Sequence, residues 1–341
     1  MAAPPIAIEG TGLVTSVGLS APAACAAIRA KISNPSRTRF MGSDGEWIMA
    51  HQVPLEQSWR GRTKLAKMAA MAIAECLDPI PKETWPTIPL VLCIAERERP
   101  GRLEDLDDQL LVDIQEEMGL QFPEGSAVVP QGRVSVAIAL AQARKLLYTG
   151  KRHRVVVAAT DSLVTWPTLD AYQKADRLLT AGNSNGFIPG EAAGAILVGR
   201  PTGRQQLRCL GVGHAKEAAH IESGDPLRAD GLTAAIRAAL SDAGCELHDI
   251  DCRIADISGE QFYFKEAALA LSRVLRQRKE QLDLWHPAES IGEAGAAAGV
   301  AAIAVAEAAC RKAHSPGVNL LTHFANDAGQ RSALVLSYRE R

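Results

Sequence analysis

Asn185-Gly186-Phe187-Ile188-Pro189-Gly190-Glu191-Ala192-Ala193-Gly194 is the stretch on which the fold turns. Its glycines recur every four residues, at 186, 190 and 194, which suits tight turns and close approach of backbone to neighbouring elements. Glu191 stands among apolar residues, so its carboxylate reads as buried and hydrogen-bonded. The apolar run that follows, residues 193–198, reads as a buried strand.

Working back from there, residues 154–159 form a second buried strand, 135–148 a helix, 127–130 a short strand and 90–95 a continuous apolar strand. Residues 103–118 read as an acidic amphipathic helix. Residues 63–77 read as a helix with Leu65, Met68, Ala69, Ala72, Ile73 and Cys76 on one face. Residues 34–59 read as an irregular polar loop. Residues 6–8 and 13–17 read as a strand broken at Gly10 and Gly12, with an Ala-rich helix near 21–31.

Beyond the opening stretch the plan repeats. Strands are expected at 207–213, 252–257 and 332–338, with helices at 231–243, 264–278 and 294–312. Alternation of this kind implies parallel sheets with crossover helices. The strand at Leu13, a helix and the strand at Val91 have an echo in Leu210, a helix and Ile254, which suggests a duplicated β-α-β unit. Pro201 and Gly203 interrupt the pattern, so the expected halves are residues 1–200 and 205–341.

The bulk properties agree with a layered α/β chain. At 341 residues it can bury a sizeable core, and with 47% hydrophobic but 4% aromatic residues that core must be aliphatic. A formal charge of −2 gives no global pull toward nucleic acid or anionic membrane. The seven cysteines include no CxxC pair and read as reduced, buried thiols of a cytoplasmic protein. Residues 1–10 lack the charged and apolar regions of a secretory signal, and no apolar run is long enough to span a membrane. His214 and His220 do not have metal-ligand spacing, and no metal or cofactor is expected. The basic cluster Lys151-Arg152-His153-Arg154 reads as a solvated turn. Ser135 has no histidine base at a recognisable position.

Four segments in order resemble the β-ketoacyl-ACP synthases, the condensing enzymes of fatty-acid and polyketide synthesis. Gly10-Thr11-Gly12-Leu13-Val14-Thr15-Ser16-Val17-Gly18 resembles their first strand and turn. The opening stretch resembles their G-F-x-x-G-E-G-A-G signature. Gly231–Gly244, ending in Ala238-Ala239-Leu240-Ser241-Asp242-Ala243-Gly244, resembles the helix that opens their second half. Residues 290–302, with Gly292, Ala296, Ala297, Ala298 and Gly299, resemble their M-T-G-H-x-x-G-A-A-G-A segment. The resemblance implies a thiolase-like α/β fold, two similar β-α-β halves in a layered αβαβα arrangement, with the active-site cleft between them. It also implies a homodimer formed through the strand from Ser126 to Val129. The chain is short for that family, which suggests trimmed loops.

The resembled enzymes carry a nucleophilic cysteine at a strand-to-helix turn, where the helix N-terminus lowers the thiol pKa, and two histidines that support decarboxylation. No cysteine lies between Cys93 and Cys209. Counting back from Gly150 places Arg133 at the nucleophile position, and a guanidinium cannot act as one. Ser258 falls at the first histidine and Glu293 at the second. A cation at a helix start should turn to solvent or pair with a carboxylate, so Arg133 and Glu293 are expected to form an ion pair that plugs the old site. Residues 322–329 replace a glycine-rich gate loop, from which His323 could still face the cleft. Gln131 lies two positions before the nucleophile position, where some non-condensing ketosynthase partners carry Gln.

No catalytic residue is therefore expected. The leading expectation is a non-catalytic adaptor or scaffold that binds an unrelated protein cargo, such as a type VI secretion effector. The alternatives are a chain-length or regulatory partner subunit of a fatty-acid or polyketide ketosynthase, and an acyl-thioester enzyme using residues not recognised here.

Overall fold

The computed structural model describes residues 3–43, 45–150 and 152–340. Lys151 of the basic cluster and the first two residues of the N-terminal segment read above lie outside it.

The first half contributes strands β1 (Ile6–Val14), β2 (Ser36–Met41), β3 (Trp47–Ala50), β4 (Leu90–Ile94), β5 (Ala127–Pro130), β6 (Arg154–Ser162) and β7 (Glu191–Gly199). Its helices are α1 (Ala21–Arg29), α2 (Gly61–Leu77), α3 (Leu106–Met118), α4 (Ser135–Tyr148) and α5 (Trp166–Lys174). The second half contributes β8 (Gln206–Lys216), β9 (Cys252–Ala255), β10 (Asp283–Trp285), β11 (Asn319–Ala325) and β12 (Gln330–Arg339). Its helices are α6 (Asp230–Ala243), α7 (Gln261–Val274), α8 (Ala288–Ile291) and α9 (Ala297–Arg311).

Ten of these strands form one sheet in the order β10-β9-β11-β12-β8-β1-β7-β6-β4-β5, and β2 and β3 pair separately. Numbered from its own first strand, each half of the large sheet has the order 3-2-4-5-1. The halves meet through β1 and β8, paired only at Ile6 with Cys209 and Ala7 with Arg208. The sheet is mixed rather than parallel. β7 runs antiparallel to β6 and β1, and β12 runs antiparallel to β11 and β8.

Apolar burial explains the layering. The central core packs α1, α4 and α9 between the two halves of the sheet. One outer core packs α2 and α3 against the first half, and the other packs α6 and α7 against the second. The result is an αβαβα stack. The aliphatic composition shows in it: α9 buries Val300, Ile303 and eight alanines or glycines over its length, so small side chains let the central helices sit close to both sheet faces.

Several local expectations need correction. β1 is one strand rather than two fragments, with a bulge between Ile8 and Gly10. Its glycines serve helix packing: a Cβ on Gly12 would stand 2.0 Å from the Ala72 carbonyl oxygen, and one on Gly10 2.7 Å from that of Cys76. Residues 34–59 contain the β2–β3 hairpin, whose inward positions include Thr38, Ile48 and Ala50 while Arg37 and Met49 face outward. The segment containing His323 belongs to strand β11 as far as Ala325, so the loop after it is only a tight turn. Helix α5 and the short strand β10 had no expectation.

Candidate functional site

β5 ends at Pro130, and the chain turns through a single 3-10 turn, Gly132–Val134, into α4. Ser135 fixes the turn: its Oγ donates to the Val129 carbonyl at 3.0 Å and accepts from the Gln131 amide at 3.1 Å. Gly132 takes φ +57°, with Glu96 packed where a side chain would go. Arg133 therefore leaves the turn toward the interior and is 6% exposed.

There it meets four groups from the second half. Nη1 donates to Glu293 Oε2 at 3.1 Å, and Nη2 donates to Asp327 Oδ1 at 2.8 Å and to the Tyr263 hydroxyl at 2.9 Å. Asp256 lies 3.8 Å from Nε. The guanidinium carbon stands 4.6 Å from the Tyr263 ring centroid, within cation–π range. Burial opposes the charge, but Glu293, Tyr263, Asp327 and Asp256 outweigh it and hold Arg133 protonated well above its ordinary range.

The sequence-identified positions divide cleanly. Arg133, Ser258 and Glu293 come together: Ser258 Oγ donates to Glu293 Oε2 at 2.7 Å, and the Gly295 amide donates to Oε1 at 3.0 Å. Gln131 is adjacent, and its carbonyl accepts weakly from Asn326 Nδ2 at 3.4 Å. His323 does not join them. Strand alternation places it on the face of β11 shared with Leu321 and Ala325, which pack into the outer core with α6 and α7. Burial, aided by Arg253, lowers its imidazole to about 3, so it is neutral.

Residues not singled out from the sequence carry much of the site. Asp327 accepts from Arg133, from Arg177 Nη1 at 2.7 Å and from the Tyr263 hydroxyl at 2.5 Å. Burial alone would raise its pKa, yet Arg133 and Arg177 hold it below the usual carboxylate range. Arg177 is also bidentate to Glu260 at 2.7 and 2.8 Å. Beside this group, Arg99 bonds Asp161 at 2.8 Å and Glu96 at 2.7 Å, and the Ala296 amide donates to Asp161. Burial raises Asp161 and Glu260 above their ordinary values despite their arginine partners, and Asp256 as well. Asp256 is raised to about 7 against the opposing effect of Arg133, so it carries a proton for part of the neutral range.

Chemically, the arrangement is a set of satisfied ion pairs rather than a poised nucleophile. Cys25, Cys76, Cys93, Cys209 and Cys252 are buried away from this network, and burial raises each thiol, to about 12 in Cys25, Cys209 and Cys252. Ser135 Oγ, fully buried, is committed to backbone partners. Among the described residues no cluster of three His, Cys, Asp or Glu could hold a metal ion, and no helix is long and apolar enough to cross a membrane.

No family model matches the chain. It is 32% identical over 167 residues to a Streptomyces halstedii protein named as a polyketide beta-ketoacyl synthase 2, a match spanning 45% of this chain and 40% of that relative. Solved structures match nearly the whole chain. The ishigamide ketosynthase/chain length factor superposes with a TM-score of 0.78 at 17% identity, covering 99% of this chain and 100% of that one. A ketosynthase in complex with its chain length factor from Xenorhabdus doucetiae gives 0.79 at 14%, covering 98% of each chain. A type II polyketide acyl-carrier protein in complex with its ketosynthase bound to the hexaketide gives 0.80 at 14%, covering 99% and 100%. The fold is the thiolase-like ketosynthase fold.

Proposed function

We propose that this ketosynthase-fold chain is a non-catalytic partner subunit, pairing with a cysteine-bearing ketosynthase as a chain length factor does. One observation carries the reading. The three positions at which the resembled enzymes place their thiol and imidazoles hold Arg133, Ser258 and Glu293, joined through Glu293 Oε2 in one buried network. Such a network holds no thiol, its hydroxyl and carboxylate oxygens are engaged in hydrogen bonds and ion pairs, and Arg133 stands where the resembled enzymes carry the acyl-bearing cysteine. What remains is a ketosynthase-shaped body, and its use is to pair.

The comparisons favour this reading over an adaptor for unrelated cargo. Two of the structural neighbours are described as ketosynthase and chain length factor assemblies, and they match over full length. The pairing surface would be β5, the terminal strand of the large sheet, whose outer edge has no neighbour within the described chain. The strand is Ala127–Pro130 rather than Ser126 to Val129, because the Ser126 hydroxyl turns back to accept from the Leu90 amide. A second chain could add there by backbone pairing. The partner would perform the condensation, and this subunit would act on product length through the shared interface.

The test is co-expression with a cysteine-bearing ketosynthase from the same genome, followed by light scattering on the purified material. The reading expects one copy of each chain per particle. A stable homodimer that ignores the ketosynthase would contradict it.

A further inference from the structure

Two adjoining cavities, of 310 and 340 Å³, open where α1 and α9 end, the first of them against the edge strand β10. They share Cys25, Arg29, Ala308 and His314, and Ile28, Trp285 and Val305 wall the first with apolar surface. Volumes of this size suit small-molecule sites, which run from about 300 to 1,000 Å³. The place is distinct from the Arg133 network. That network sits against the residues just before α9, whereas the cavities sit against its later turns, from about 12 Å (Val305) to about 22 Å (Lys312) along the helix axis at about 1.5 Å per residue.

The charges around the cavities are unequal. Glu289, the one acid in the lining, is already engaged by His286 Nδ1 at 3.0 Å and Lys31 at 3.8 Å. Arg29 and Lys312 have no carboxylate partner among the described residues. His314 Nδ1 is buried and has no hydrogen-bond partner among the described residues. Burial, then the positive charges of Arg29 and Lys312, hold that imidazole below its ordinary range, so both cations stand near the ring. A basic residue at the end of each helix is what the helix dipole favours. The dipole accounts for where these two cations stand but, among the described residues, leaves both without a counter-ion beside an apolar cavity.

We infer that the paired cavities bind a small amphipathic anion. Its carboxylate or phosphate head would be held by Arg29 and Lys312, and its short apolar tail would lie along Ile28, Trp285 and Val305. The inference stands independently of pairing with a ketosynthase, since none of these residues belongs to β5 or to the Arg133 network.

The experiment is calorimetric titration of the full chain with octanoate, octyl phosphate and 1-octanol. One saturable site for at least one of the anions is expected, with 1-octanol at least tenfold weaker; which anion binds more tightly identifies the head group. The double variant Arg29→Ala/Lys312→Ala should weaken anion binding tenfold or more. Val305→Trp, which fills the apolar wall, should abolish it, with Ala308→Leu as the substitute if the tryptophan variant fails to fold. Equal affinity for 1-octanol, unchanged binding by the charge variant, or no saturable binding of either anion at millimolar concentration would overturn the inference.

Discussion

Arg133 and Asp327, 194 positions apart in sequence, meet at 2.8 Å, and Arg177 takes the other oxygen of the same carboxylate at 2.7 Å. Asp327 is thus the shared anion of two buried arginines from the first half, while Glu293 serves only one of them. Asp327→Asn should therefore destabilise more than Glu293→Gln. Removing one partner of a buried pair costs about 3–5 kcal/mol, and Asp327→Asn should fall in that range. Glu293→Gln should fall below it, because Arg133 keeps Asp327. Denaturant unfolding of both variants checks the order, and a larger loss for Glu293→Gln would refute it.

Asp256 gives a pH signature. Its folded pKa of about 7 lies above the ordinary value of 3.8, so the native state binds a proton that the unfolded chain has released between those values. The contribution to stability is present at acid pH and is lost as pH rises toward 7. Asp256→Asn keeps an oxygen to accept from the Ala325 amide, now bonded at 2.9 Å, and removes the titration. The variant should gain on the parent by a few kcal/mol at most between pH 5 and pH 8. Paired melting curves at the two pH values test this; a gain on moving to lower pH would reverse the sign and reject it.

Restoring the thiol should not restore chemistry. Arg133→Cys places a sulfur at the strand-to-helix turn, but Ser258 and Glu293 still stand where the resembled enzymes carry imidazoles, and the nearby carboxylates Glu293, Asp256 and Asp327 disfavour a thiolate. Incubated with an acyl-carrier thioester, the variant should show no acyl adduct by intact mass. Rapid stoichiometric acylation would mean that the rest of the site is still competent.

Two glycines hold the network in place. A Cβ at Gly132 would stand 1.8 Å from Glu96 Oε2, and one at Gly295 would stand 2.1 Å from Asp161 Oδ2; both residues have positive φ. Gly132→Ala and Gly295→Ala should each destabilise by about 2 kcal/mol or more, through backbone strain and displacement of a paired carboxylate. Alanine variants within about 0.5 kcal/mol of the parent would show that the neighbouring acids can move freely.

What was legible in the sequence follows from what is local. Arg133, Ser258 and Glu293 could be placed because glycine landmarks fix their register, and the charge opposition between 133 and 293 pointed to the pair. Arg177, Glu260, Tyr263 and Asp327 could not. Each is an ordinary polar residue in its own segment; packing within the second half brings Tyr263 to Asp327, and the meeting of the two halves brings Arg177 to Glu260 and Asp327. The one available signal was Asp327 itself, a new charge in a segment where glycines were expected. The β2–β3 hairpin was hidden because its buried face is only Thr38, Ile48 and Ala50, too sparse for a period-two pattern. His323 was misplaced for the opposite reason. Thr322 and His323 look polar enough for a loop, yet both are buried in β11, and the alternation turns the histidine away from the site.

The central claim is that this chain pairs with a ketosynthase and does no acyl chemistry of its own. The most direct measurement is intact mass spectrometry of the co-purified complex after exposure to an acyl-carrier thioester. The account predicts an acyl adduct on the cysteine-bearing partner and none on this chain. An adduct on this chain, or no complex to measure, would contradict it.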